Sequence, residues 1–153
     1  ESLYSEGVFI GYRWFEKKNI RPLFPFGHGL SYTTFEYSKL QLSADTLSAE
    51  EALTVKLTIT NTGDVAGAEI AQLYLHDEKS SVERPYKELK DFAKVYLNPG
   101  ESKQVIMTLN QRDLSFWDVN TNDWLAEKGR FDVIIAASAS DLRLRHSFNY
   151  LPQ

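Results

Sequence analysis

Apolar and polar residues alternate with a period of two along most of this chain. Leu53, Val55, Leu57 and Ile59 are interleaved with Thr54, Lys56, Thr58 and Thr60, the pattern of a strand with one buried face. Asn61-Thr62-Gly63-Asp64 and Ala66-Gly67 then supply turn residues. Ala71, Leu73 and Leu75 offer one face of a following strand. Leu89 to Leu97 reads as another, stopped by Asn98-Pro99-Gly100. Val105, Met107 and Leu109 alternate again. After Gly129 come Phe131, Val133, Ile135 and Ala137, and after a small polar turn Leu142, Leu144, His146 and Phe148. With a first strand near Phe35 to Leu42, the pattern predicts seven short strands separated by turn signals. That spacing is characteristic of an immunoglobulin-like all-β sandwich. A helix over residues 81–94 is disfavoured, because Pro85 lies inside it and its apolar residues lack helical spacing.

Residues 1–37 differ. They hold ten aromatics (Tyr4, Phe9, Tyr12, Trp14, Phe15, Phe24, Phe26, Tyr32, Phe35 and Tyr37). One strand is predicted there, over residues 7–15. Beyond it Pro22 and Pro25 impose an extended, turning loop through residues 24–30. One strand and a loop cannot bury so many rings, so a surface from elsewhere is required. Residues 1–32 are therefore expected to lie outside the sandwich core, the strand adding to a sheet of another domain.

Composition narrows the classes of function. The chain has 153 residues and a net charge of −4. Without a basic cluster, nucleic-acid binding is not expected. The absence of cysteine excludes disulfide frameworks, zinc ribbons and thiolate catalysis. No apolar run approaches a membrane span, and no membrane partner is expected. The sequence opens on Glu1 without a basic-then-apolar leader pattern, which reads as a processed or excised piece.

Candidate chemistry is sparse. The 21 acids fall mainly in turns and at polar strand positions, where solvation explains them better than a glycosidase-type carboxylate pair. His28 lies between two glycines, which would expose its ring; turn geometry alone also explains those glycines. His76 and His146 are isolated, and no metal site or cofactor is expected. Asp118-Val119-Asn120-Thr121-Asn122 imitates half a calcium loop, but Asp123 and Gly129 stand where an EF-hand needs Gly and Glu. A hairpin fits better: with residues 119–122 as the loop, Trp117 and Trp124 become cross-strand neighbours. Such a pair either braces the sheet or, if its rings are coplanar, offers a carbohydrate platform. The alternating charges Arg84, Lys87, Glu88, Lys90, Asp91 and Lys94 read as a solvated strand face.

Several runs resemble a known family. Glu6-Gly7, Gly11-Tyr12-Arg13-Trp14-Phe15 and Phe24-Pro25-Phe26-Gly27-His28-Gly29-Leu30-Ser31-Tyr32-Thr33 resemble the C-terminal part of glycoside hydrolase family 3 enzymes. There an α/β sandwich domain hands over to a fibronectin type III-like domain. Asn61-Thr62-Gly63, Pro99-Gly100-Glu101 and Leu114-Ser115-Phe116-Trp117 resemble that second domain. The resemblance implies residues 1–32 as the end of the α/β domain and residues 33–153 as the fibronectin type III-like domain. It implies retaining hydrolysis of β-glycosides by an enzyme whose nucleophile and acid/base precede this segment. No residue here matches either motif. The implied partners are the barrel and α/β catalytic domains, in the same chain or as a second one, and through them a carbohydrate substrate. Trp14 and His28 are candidates to approach the substrate cleft; Trp117 and Trp124 are candidates for a separate carbohydrate platform.

Overall fold

A computed structural model describes residues 32–152. The strand expected over residues 7–15, the loop at 24–30, Trp14 and His28 lie outside the described residues. The elements in order are β1 (Phe35–Leu42), β2 (Thr46–Leu47), β3 (Ala52–Asn61), β4 (Gly67–Asp77), β5 (Glu88–Leu97), β6 (Ser102–Asn110), a four-residue helix α1 (Gln111–Leu114), β7 (Phe116–Asp118), β8 (Asp123–Leu125), β9 (Gly129–Ser138) and β10 (Asp141–Tyr150). The seven long strands are those the alternation predicts. The short β2, β7 and β8 add to them, and α1 was not expected.

One sheet has the order β1-β3-β6 and the other β2-β10-β9-β4-β5; β7 and β8 form a separate ribbon. All long-strand pairings are antiparallel. Register follows the hydrophobic pattern, because a one-residue slip would turn every apolar side chain toward water. Thus Leu53, Val55 and Leu57 of β3 face Leu109, Met107 and Val105 of β6. These six join Phe131, Phe148, Ala71, Leu73 and Tyr150 in one core between the sheets. The rings of Phe131 and Phe148, cross-strand partners, stack 5.9 Å apart. In the edge strand β1, the register slips between Ser38 and Gln41, and Lys39 adopts a left-handed φ of 56°. This bulge breaks the regularity of an exposed edge.

The strands β4 and β9 are buried on both faces. Inward, Leu73 and Ile135 enter the main core; outward, Tyr74, Ile134 and Ala136 form a second cluster with Leu89. The segment 78–87 covers that outer face. Its Tyr86 ring stacks 4.2 Å from His76, and its Lys87 ammonium sits 5.1 Å over the Tyr74 ring. Arg145 of β10 donates to both the Tyr86 hydroxyl and the Asp132 carboxylate. The expectation of a solvated charged face is therefore corrected for part of the segment. Lys87 is buried, and the side chains of Arg84, Glu88 and Lys90 are largely withdrawn from water. Alternating charge signalled mutual pairing here rather than exposure.

A second interior polar residue is Asn61, with no exposed surface. Its amide nitrogen donates to the carbonyls of Val65 and Leu97, each at 2.9 Å. Its side-chain oxygen accepts from Thr33 Oγ1 and from the Gly63 N–H, each at 3.0 Å. With every site of the amide engaged, the desolvation penalty is offset. Gly63 is required at this place: a Cβ there would stand 1.9 Å from Thr33 Oγ1.

Candidate functional site

Among the described residues, a cavity of about 660 Å³ lies between segment 82–90 and the α1–β7–β8 unit. It is assembled locally. Asn110 caps α1, its side chain accepting from the Arg112 N–H at 3.0 Å, while the Asp113 carboxylate returns to the Asn110 N–H at 2.9 Å. This reciprocal capping fixes the turn that carries Arg112, whose guanidinium lies 4.2 Å over the Trp124 ring. From the opposite wall, Arg84 reaches the Leu114 carbonyl at 3.2 Å, Glu88 at 3.1 Å and Asp77 at 3.5 Å. Its guanidinium also covers Phe116, 5.6 Å from the ring centroid. Arg84 thereby ties segment 78–87, the strap across the outer face, to α1 and β7.

Two of the carboxylates lining this cleft, Glu88 and Asp113, are engaged. Burial would raise Glu88, but Lys90 at 3.2 Å and Arg84 outweigh it and hold the group below its ordinary range. Asp113 is committed to the cap. Behind the cleft, burial raises Asp77, with the Lys79 N–H and Arg84 opposing. Glu88 is thus held as a paired carboxylate, and Asp113 is tied into the cap of α1.

Trp117 and Trp124 line the same cleft, half exposed. They are direct cross-strand partners, as the spacing predicts, with Phe116 opposite Leu125 and Asp118 opposite Asp123. Asn122 takes the left-handed φ of 54° that closes the hairpin. The rings stand 5.7 Å apart at 83°, edge to face. The coplanar arrangement that a two-ring platform needs is therefore not formed. The ring quadrupoles favour the edge-on contact, and Arg112 covers a face of Trp124. In the neighbouring loop, Asp118 accepts from the Asn120 N–H and Thr121 Oγ1, and Asp123 from the Trp124 N–H. Among the described residues no cluster of three or more His, Asp or Glu has metal-binding geometry. His76 is engaged at Tyr86, and His146 Nδ1 lies 2.9 Å from the Ser147 carbonyl. Arg112 was not singled out in the sequence, and Arg84 was read only as part of a solvated strand face. The Asn110-x-x-Asp113 cap and the Arg84-x-x-x-Glu88 spacing were the available signals.

With this geometry in hand, relatives become informative. A model of the fibronectin type III-like domain matches residues 69–139. This chain carries that domain. Its similarity to known proteins extends further, over nearly all 153 residues. It is 51% identical to a β-glucosidase of Bacteroides ovatus across 97% of the chain. It is 49% identical to thermostable β-glucosidase B of Acetivibrio thermocellus across 94%. Among solved structures, β-glucosidase 3B of Thermotoga neapolitana superposes with a TM-score of 0.86 at 40% identity, over 95% of this chain and 20% of that one. A family 3 β-glucosidase of Bifidobacterium adolescentis gives 0.88 at 36% identity, over 96% of this chain and 21% of that one. The resemblance to family 3 enzymes thus holds along the fibronectin type III-like domain and the residues before it. The chain spans only about a fifth of the length of the curated relatives it matches, 20% and 19% for the two named.

Proposed function

We propose that this chain is the non-catalytic C-terminal portion of a family 3 glycosidase of the β-glucosidase type, serving as structural partner of the barrel and α/β catalytic domains. One observation carries the reading: near-complete similarity of this chain to β-glucosidases is confined to about a fifth of each. The engagement of Glu88 and Asp113 in ion pairing and capping supports it, since both then have structural roles in this domain. On this reading, residues 1–32 end the α/β domain and residues 33–153 form the sandwich, while Trp14 and His28 approach the substrate cleft. The isolated chain should show no turnover of aryl β-glucosides, whereas the complete polypeptide should hydrolyse them. Measurable turnover by the isolated chain would overturn the proposal.

A second reading is a polysaccharide- or lignin-binding module. The half-exposed Trp117 and Trp124 at the mouth of the cleft favour it; their edge-on geometry does not. Retention on cellulose and xylan separates the readings, and unchanged retention after Trp117→Ala and Trp124→Ala removes the tryptophans from it.

A further inference from the structure

The outward face of β4 and β5 is treated in two ways along its length. Toward the His76 and Leu89 end, the chain's own segment 78–87 covers it, burying Tyr74, Ile134 and Ala136 completely or nearly so. Toward the other end the β5 side chains stand open, while Gln72 of β4 is buried and Ile70 partly so. Cross-strand register places Ala68 beside Tyr96, Ile70 beside Lys94 and Gln72 beside Phe92. The alternate residues Ala93, Val95 and Leu97 turn inward to the core, so Phe92, Lys94 and Tyr96 project outward. Phe92 is 64% exposed and Tyr96 59%. Val65, in the adjoining β3–β4 turn, is 58% exposed.

This bare half adjoins the end where the chain joins the sandwich. Asn61 grips Thr33 with one atom and the Leu97 carbonyl, next to Tyr96, with another; it also holds the Val65 carbonyl. The Thr62 N–H donates to the Thr34 carbonyl at 2.9 Å, and the Thr34 and Thr62 hydroxyls lie 2.9 Å apart. Gly63 packs so closely against Thr33 that no side chain fits between them. The knot therefore holds Thr33 and Thr34 firmly beside the apolar half-face. Tyr32, the first described residue, is fully exposed at that point.

From this juxtaposition we propose that the Val65–Ile70–Phe92–Tyr96 face is the docking surface for the domain preceding residue 33 in the same polypeptide, with the Asn61–Gly63 knot on Thr33 as its fixed pivot. The proposal rests on the reading of the chain as part of a larger glycosidase. Two rings and two aliphatic side chains beside a rigid joint suit a contact within one chain, of the size class of about 600–1,500 Å². A tethered partner needs less intrinsic affinity because the joint holds it at high effective concentration.

The test uses Phe92→Ser/Tyr96→Ser, with Ile106→Ser as control; Ile106 is 56% exposed on the outer face of the other sheet. Each is made in the complete polypeptide and in the present chain, and followed by scanning calorimetry and sedimentation. In the complete polypeptide the double variant should lower the melting transition of this domain and separate it from the rest. The control should not, and neither should alter the present chain by itself. Equal behaviour of double variant and control in the complete polypeptide overturns the proposal. Equal destabilisation of the present chain by the double variant also overturns it, making the two rings a local packing feature. A wild-type dimer that the double variant dissociates assigns the face to a second copy and overturns it too. If the complete polypeptide hydrolyses no β-glucoside, the reading beneath falls with it; if it does and the variants match the control, the docking surface alone is wrong.

Discussion

Asn61 and Lys87 show the two ways in which this domain keeps a polar side chain inside. Asn61 is matched atom for atom, and the close fit of Gly63 is part of the match. Gly63→Ala should destabilise the chain by about 1–3 kcal/mol, the usual range for overpacking. Urea unfolding of the variant and of Gly63→Ala/Thr33→Ala measures it. In the Thr33→Ala background Gly63→Ala should cost less than it does alone, because the hydroxyl that the new methyl meets is already gone. Full additivity would show that Thr33 is not the obstacle. Lys87 is different: burial lowers its ammonium to about 8, although the Tyr74 ring lies beneath it. A base held low only in the folded state binds fewer protons folded than unfolded, so stability rises with pH between about 8 and the unfolded value near 10.4. Below that window the whole cost of charging is present. Lys87→Met should therefore raise the melting temperature at pH 7, with the gain shrinking by pH 9.5. A gain independent of pH would mean that packing alone is responsible.

At the level of elements, the β7–β8 ribbon is the least conventional part of the fold. Two three-residue strands do not make a stable sheet unaided. They are held by the Trp117–Trp124 contact, by Arg112 from the capped turn of α1, and by Arg84 over Phe116. Edge-on aromatic pairs contribute about 0.5–1.5 kcal/mol beyond area. A double-mutant cycle over Trp117→Ala and Trp124→Ala should return a coupling in that range by chemical denaturation. A coupling near zero would leave the rings to some other purpose, the carbohydrate reading included. The hairpin was legible in advance, because the spacing of the tryptophans and the Asn-rich loop are local signals. Their ring geometry was not, since it depends on Arg112 arriving from a separate element. The same division runs through the strap. Pro85 and the turn residues marked segment 78–87 as irregular, yet the burial of Lys87 follows from its lying across the outward faces of β4 and β9.

For the whole molecule, the two sheets enclose one core whose contributors recur every second residue from Phe35 to Tyr150, and this periodicity made the all-β sandwich readable from the chain. Turn residues at 61–67, 98–100 and 138–141 set the strand limits because their backbone preferences are local. The runs at residues 11–15 and 24–33 carried the resemblance to family 3 enzymes, and the relatives bear that resemblance out. What sequence determined by itself was therefore whatever depends on neighbours along the chain: which residues alternate, where turns fall and which runs match a family. Only the tertiary structure decided that Asn61 joins Thr33 to Leu97, that alternating charges at 84–90 are paired and withdrawn from water, and that half of the β4–β5 face is left bare. Those outcomes depend on segments far apart in sequence meeting in space, where burial turns a charge or an amide from a solvated group into one that must find a partner.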